Sequence, residues 1–532
     1  MAGVVVAPLR DKIEQPSVSP NLPPSVLGVA GPSFGSGYAI RSDTGAFRER
    51  SVTSEPDVPE PVMIELNLQY RGTDAQQATG TEGAIARVQQ LWTLVGGMGK
   101  PVVVAEQYMS GELTSQQVQN IATADSAAGD WPQRAIFRIW PDFPVHRQID
   151  ASTLTVKAVP AQRSFAAYGD GIVWAVLDSG IDETHPHFAC YQTLDDPAVA
   201  DLHHDFVSNS DDPKLALVDD DGHGTHVAGI IAGGLRDWKP EDRPRRALAA
   251  AKRQNNGAPG SRDPILVPRD DVDIDQLNGV APLTKLVSLK VLSKFGDLTA
   301  RTGRVMAALA YVRQKNAEGG KITRIHGVNL SLGYDFLAEW FGCGQSPLCL
   351  EVNRLVLSGV VVVVAAGNSG YVTLTESQSD VTQFSASVTI NDPGNADKAI
   401  TVGSTHRDSP HTNGVSFFSS RGPTGDGRLK PDLVAPGERI TSAAAGQYRT
   451  SIERAQFPDS DGAALYIEDS GTSMSAPHVS GAIAAFLSVQ REYVGQPDEV
   501  KRIFMSSAIS LGRDPNFQGA GLVDLMRALQ TP

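Results

Sequence analysis

Three short motifs limit what this chain can fold into. A carboxylate, an imidazole and a hydroxyl each sit where an apolar segment meets a turn of small residues. Ile172 to Leu177 is an unbroken apolar run that ends in Asp178-Ser179-Gly180. Such a run reads as a strand buried on both faces. A carboxylate at the C-terminal end of a parallel strand lies where open α/β sheets keep their sites. His223 lies between Gly222 and Gly224, ahead of Val227, Ala228, Ile230 and Ile231, a pattern that predicts a buried helix. Gly471-Thr472-Ser473 runs straight into the small and apolar segment from Ala476 to Leu487. Ser473 is therefore expected at a helix N-terminus, where unpaired N–H groups and the helix dipole favour negative charge. A lone serine in such a turn is an ordinary N-cap. It becomes a nucleophile only with a base to take its proton and donors to hold an oxyanion. Positions 178, 223 and 473 are far apart, so only the fold brings them together.

From about residue 149 to residue 532 apolar strand-like runs alternate with helical patterns. This predicts an α/β domain with a doubly wound, mostly parallel sheet and helices on both faces. The candidate strands are Ile172 to Leu177, Lys285 to Leu292, Ile325 to Leu330, Val360 to Ala365 and Ala399 to Val402.

At the three motifs the chain resembles the subtilisin-like serine proteases, the subtilase family. The matching stretches are Val176-Leu177-Asp178-Ser179-Gly180-Ile181-Asp182, Gly222-His223-Gly224-Thr225-His226 and Gly471-Thr472-Ser473-Met474-Ser475-Ala476-Pro477-His478. The order Asp, His, Ser is that of subtilisin. A fourth match is Val361 to Gly370, with Ala365-Ala366-Gly367-Asn368 at its centre. The resemblance covers the whole span from 149 to 532. It implies an endopeptidase acting through an acyl-enzyme, with Ser473 as nucleophile, His223 as base and Asp178 as its orienting carboxylate. It implies that Asn368 points its amide at the oxyanion. It implies that Ser331, Leu332 and Gly333 pair with substrate backbone, and that Ala365, Ala366 and Gly367 line the specificity pockets, often for apolar or aromatic residues. Phe418 to Pro423, Lys430 to Gly437 and Gln518 to Asp524 look like family loop motifs, read here as structural.

Ahead of this span, residues 61–148 read as a separate α+β module. Val62, Ile64, Leu66, Leu68 and Tyr70 alternate with polar neighbours, as a half-buried strand does. Ile85, Val88, Trp92 and Val95 have helical spacing; Pro101 to Ala105 and Tyr108-Met109 read as strands; Thr114 and Gln117 form a capping box; Ile136 to Trp140 closes the unit. The order β-α-β-β-α-β suggests a ferredoxin-like fold, similar to the inhibitory propeptide of many subtilases, which makes the chain's own N-terminal module a partner of its catalytic domain. Residues 1–60, rich in Pro, Gly and Ser, read as disordered linker. Val4 to Ala7 is too short for a signal-peptide core and no basic segment precedes it. That conflicts with a family that is often secreted, so the localisation stays open, with the cytoplasm as the alternative.

A polar insertion, residues 231–278, carries Arg243, Arg245, Arg246, Lys252 and Arg253 and reads as a solvated loop. Cys343 and Cys349 are close enough in sequence to bridge, or stay as thiols beside Cys190. His223 and His226 are three apart but lack the Glu of a zinc-protease motif, so a metallohydrolase is the weaker reading, and a catalytically silent binding fold conflicts with the intact motifs. No cofactor is required for the chemistry. The acidic residues Asp195, Asp196, Asp211, Asp212 and Asp219 to Asp221 are candidates for structural calcium with no ligand set assigned. A net charge of −14, from 46 basic and 60 acidic residues, argues against a nucleic-acid partner, and the family resemblance implies proteins and peptides as substrates. No run of about 18 apolar residues is present, so no transmembrane segment is expected.

Overall fold

Val62, Ile64 and Leu66 are buried while Pro61 points out, and this alternation makes β1, Glu60–Leu66, a strand with one face in a core. The computed structural model describes residues 59–72, 78–105, 107–141, 151–208, 210, 212–235, 247–253, 265–269, 276–293, 301–320, 323–336, 342–375, 381–457 and 463–531. It divides into two units, residues 1–146 and 147–532.

In the first unit β1 is followed by a helix, Gly80–Leu94, then β2, Val102–Ala105, and β3, Tyr108–Leu113. A second helix, Ser115–Ser126, leads to β4, Ile136–Pro141. The sheet order β2-β3-β1-β4, antiparallel throughout, is that of a ferredoxin-like unit. The second helix starts where the capping box places it: Thr114 Oγ1 accepts from the Gln117 N–H, and Gln117 Oε1 accepts from the Thr114 N–H. The expected extension of β1 through Leu68 and Tyr70 does not form. Asn67 donates its amide to the carbonyls of Trp131 and Arg134 and accepts from the Gln69 N–H, turning the chain and leaving Leu68 exposed. Residues 1–58 and the stretch from Asp142 to Asp150 lie outside the described residues.

In the second unit β5 is Val173–Asp178, β6 is His204–Asp205, β7 is Ala247–Arg253, β8 is Ile265–Arg269, β9 is Lys285–Lys290, β10 is Gly327–Leu330 and β11 is Val361–Ala365. A hairpin, β12 (Tyr371–Thr375) and β13 (Val381–Ser385), precedes β14, Ile400–His406, and β15, Leu433–Glu438. β16, Ile440–Ala443, and β17, Ala464–Asp469, complete the strands. Seven of these form one parallel sheet in the order β15-β14-β11-β10-β5-β9-β6. Both faces are covered. Trp174 and Val176 join Val361, Val363 and Ala365 under the helix Thr472–Val489, while Val173, Ala175, Leu177, Val362 and Val364 face the helices Thr302–Glu318 and Pro347–Leu357. Continuous burial explains why these strands read as unbroken apolar runs. The chain lays β9 on one side of β5 and β10 on the other, so the order reverses around β5, where crevices form at carboxyl ends.

Two expectations need correction. Leu433–Glu438, read as part of a loop motif, is the edge strand β15, paired with β14 in spite of Pro436 and Gly437. An edge strand tolerates a proline because its outer N–H needs no ladder partner. The insertion is not simply a solvated loop. Its β7 pairs in parallel with β17 and antiparallel with β8, in a second sheet ordered β16-β17-β7-β8, with Ala249, Ala250 and Ala251 buried. Arg243, Arg245 and Arg246 lie outside the described residues. Among the described residues no helix is long and apolar enough to cross a membrane.

Candidate active site

Asp178 is the last residue of β5, at the switch point of the sheet. Gly224 lets the next element come close: a Cβ there would stand 2.2 Å from the Gly180 carbonyl and 3.1 Å from Asp178 Cβ. The helix His223–Ile231 therefore starts directly above the end of β5. Asp219 fixes that start. Its Oδ1 accepts from the Gly222 and Asp221 N–H groups and from Ser179 Oγ, and its Oδ2 accepts from the Thr225 N–H and hydroxyl. An anion with these contacts satisfies orphan donors at a helix N-terminus. The result places His223 Nδ1 at 2.8 Å from Asp178 Oδ1, with both side chains buried. A carboxylate only accepts, so Nδ1 carries the proton and Nε2 of the neutral ring is the basic nitrogen.

Ser473 sits in the first turn of the helix Thr472–Val489. Pro477 lies inside this helix and has no N–H, so it leaves the carbonyl four residues earlier, that of Ser473, without its helical donor. Ser331 fills the gap: its Oγ donates to the Ser473 carbonyl at 2.8 Å, held in turn by Asn329 Nδ2, while Ser480 Oγ donates to Asn329 Oδ1. Ser473 Oγ donates to the Ser331 carbonyl at 3.0 Å. The turn is pinned to the sheet by the Gly471 N–H donating to the Gly437 carbonyl at 2.8 Å. Gly437 must lack a side chain, since a Cβ would stand 2.1 Å from Ser475 Oγ. Asn368 is positioned from the same turn: its Oδ1 accepts from the Thr472 N–H at 2.9 Å and the Thr472 hydroxyl at 3.0 Å.

Burial alone would push the His223 imidazole down; Asp178 beside it, their hydrogen bond, and Asp469 and Asp219 outweigh burial and hold it up at about 9. His226, also buried, is pushed down to about 4 by desolvation, and its Nε2 donates to the Ile467 carbonyl at 3.0 Å. Among the described residues no three His, Cys, Asp or Glu side chains converge on a metal-sized site. Asp219, a candidate calcium residue, has both oxygens taken by protein donors, and Asp196 is engaged by the Ala198 N–H and Lys285. Cys343 and Cys349 are buried free thiols rather than a disulfide, and burial pushes Cys349 up to about 12.

A cleft of ≈600 Å³ opens over the pair, lined by His223, Ser473, Asn368 and Met474, and walled by Lys252, Leu266, Tyr448 and Asp469. Sequence reasoning missed this wall. β7, β8 and the helix Gly446–Arg454 build it, and the apolar run from Ala247 to Ala251 was the signal that a strand lay inside the polar insertion. It also missed Asp219 as the residue that fixes the helix start, and Thr472 as the residue that orients Asn368.

Residues 169–521 match the subtilase family of peptidases. The chain belongs to the subtilase family. It is 31% identical to serine protease AprX of Bacillus subtilis (strain 168), over 67% of this chain and 65% of AprX. It is 28% identical to pyrolysin of Pyrococcus furiosus, over 58% of this chain and 21% of pyrolysin. The matches thus span less than two thirds of these relatives' length. The fold is also that of the Clostridium perfringens CspB protease, with a TM-score of 0.51 at 20% identity over 72% of this chain and 98% of that one. In this subtilase, Ser331–Gly333 follow β10, and Ala365 ends β11 with Ala366 and Gly367 just after it, so both expected substrate segments emerge side by side from neighbouring strands. Ser331 touches Ser473, and the Gly367 N–H donates to Thr472 Oγ1 at 3.2 Å. Neither segment lines the ≈600 Å³ cleft, which lies on the His223 flank of Ser473.

Proposed function

We propose that this subtilase is a serine endopeptidase in which Asp178, His223 and Ser473 form the catalytic triad and Asn368 is part of the oxyanion hole. The observation that carries the reading is the buried Asp178–His223 pair opening into a cleft shared with Ser473 and Asn368. Substrate backbone adds as a strand along Ser331–Gly333. Ser473 Oγ turns from the Ser331 carbonyl toward His223 Nε2, gives up its proton and attacks the scissile carbonyl. With Asn368 Oδ1 held by Thr472, Nδ2 is the end that donates to the oxyanion, beside the Ser473 N–H. His223 then passes the proton to the leaving amine, Asp178 stabilises the imidazolium throughout, and water releases the acyl group by the same steps reversed. A serine-directed peptidyl phosphonate tests this. The adduct is expected on the peptide containing Ser473; no adduct, together with hydrolysis that a chelator stops, would sink the reading.

The charge around His223 sets the pH dependence. Its value is raised above the usual 6.5, so the Asp178–His223 ion pair adds stability fully below that pH and loses it as pH rises through about 9. Catalysis needs the neutral ring, so kcat/KM is expected to climb with pH and reach half its maximum near 9. Asp469→Asn removes one of the carboxylates that hold the imidazolium, so the midpoint should move to lower pH. A profile that does not move with this substitution would remove Asp469 from the account.

A further inference from the structure

The cleft wall built by the insertion carries a cation, Lys252, that the peptidase mechanism does not use. Lys252 lies on β7 opposite Leu266 of β8, and its ammonium donates to Asp469 Oδ1 at 2.9 Å and stands 5.0 Å from the centre of the Tyr448 ring. Asp469 has little acceptor capacity left: Lys252 and the Ser470 N–H use Oδ1, and the Tyr448 hydroxyl uses Oδ2. Lys252 has three N–H groups, one of them used by Asp469, and its side chain is 33% exposed against 19% for Asp469. A group reaching the Lys252 ammonium therefore meets N–H donors that Asp469 leaves available, while the Asp221 carboxylate also lines the cleft. On the other face of the same strands Arg253 and Arg269 pair with the buried carboxylate of Glu468, which also takes Arg407, itself paired with Asp408.

The flank matters as well. The base that hands its proton to the leaving amine must stand on the leaving side of the scissile bond. His223 lines this cleft, whereas Ser331–Gly333 and Ala365–Gly367 lie outside its lining. Resting on the peptidase reading above, we infer that Lys252 is a specificity-determining residue that recognises a carboxylate in the part of the substrate following the cut. That carboxylate comes from an acidic side chain or from the substrate's C-terminus.

Internally quenched peptides separate these cases. One series is amidated at the C-terminus and carries Ala, Glu or Lys in turn at each of the three positions after the cut, with the scissile bond confirmed by mass. A second carries only neutral side chains there and ends in a free carboxylate. The wild-type protein, as it stands after any self-cleavage, is expected to favour a carboxylate in one arm by about tenfold in kcat/KM over the neutral peptide, the scale of one charge-assisted hydrogen bond. The arm that shows the gain names the source. Lys252→Met should bring the ratio near one, and Lys252→Arg should keep it. The ratio is taken within one protein, so a variant of lowered activity still reports. Equal cleavage of all peptides by wild type, a preference for Lys, or a ratio indifferent to Lys252→Met overturns the inference and leaves the peptidase reading intact. Failure of wild type to cut any peptide overturns both.

Discussion

Ser473→Ala is expected to abolish peptide hydrolysis, with kcat lowered on the order of 10⁶, the scale known for the nucleophile of subtilisin. The protein should still fold. The side-chain hydroxyl makes one hydrogen bond, to the Ser331 carbonyl, while the turn is held by the Gly471 N–H, the Ser331 hydroxyl on the Ser473 carbonyl, and Thr472 with Asn368. Circular dichroism and thermal melting check the fold; turnover near the wild-type rate by the folded variant would remove Ser473 from the mechanism. The same variant tests the proposed role of the ferredoxin-like module. We propose that residues 61–148 inhibit the second unit and are separated from it by self-cleavage between about 145 and 160. Ser473→Ala should then remain one chain while wild type yields two fragments, and the isolated module should compete with substrate. Cleavage of the variant prepared free of other proteases would show that the cut is not its own.

Asn368→Ala is expected to lower kcat by about 10² to 10³, the loss known for the oxyanion asparagine of subtilisin, with KM little changed. The reason is geometric. Thr472 holds the carbonyl end of the amide by two hydrogen bonds, so the amino end is aimed without reorganisation when charge develops on the substrate oxygen. A rise in KM at constant kcat would instead make Asn368 a pocket residue.

The parts of the site that the sequence revealed are those where one requirement dominates. β5 and β11 are buried on both faces, so they are continuous apolar runs, and the residue ending β5 could be named as Asp178. Helix starts were legible where a turn of small residues meets an apolar segment, as at His223 and Ser473. Asp219 was not, because an acidic residue near other acids looks the same whether it caps a helix or holds a cation; its role depends on Ser179 and Thr225 arriving from elsewhere. Lys252 and Arg253 read as solvated charges because their partners, Asp469 and Glu468, lie about two hundred positions away and meet them only through the register of β7 with β17. Lys430, in a segment read as a structural loop, is buried with three oxygen partners, Ala399 O, Thr401 Oγ1 and Asp432 Oδ2, and desolvation pulls it down to about 8.

The pairing of β7 with β17 bears on what a break in the backbone would do. A cut between Arg253 and Ile265 would give two polypeptides, the first carrying Asp178 and His223, the second Asn368 and Ser473. β7 of the first would stay zipped to β17 of the second, and β5 of the first would stay clasped between β9 and β10 of the second. Separating the pieces would mean drawing an interior strand out of a seven-stranded sheet. A nick at that point would be visible on a denaturing gel yet silent on a sizing column, and the severed chain would keep its four site residues in register.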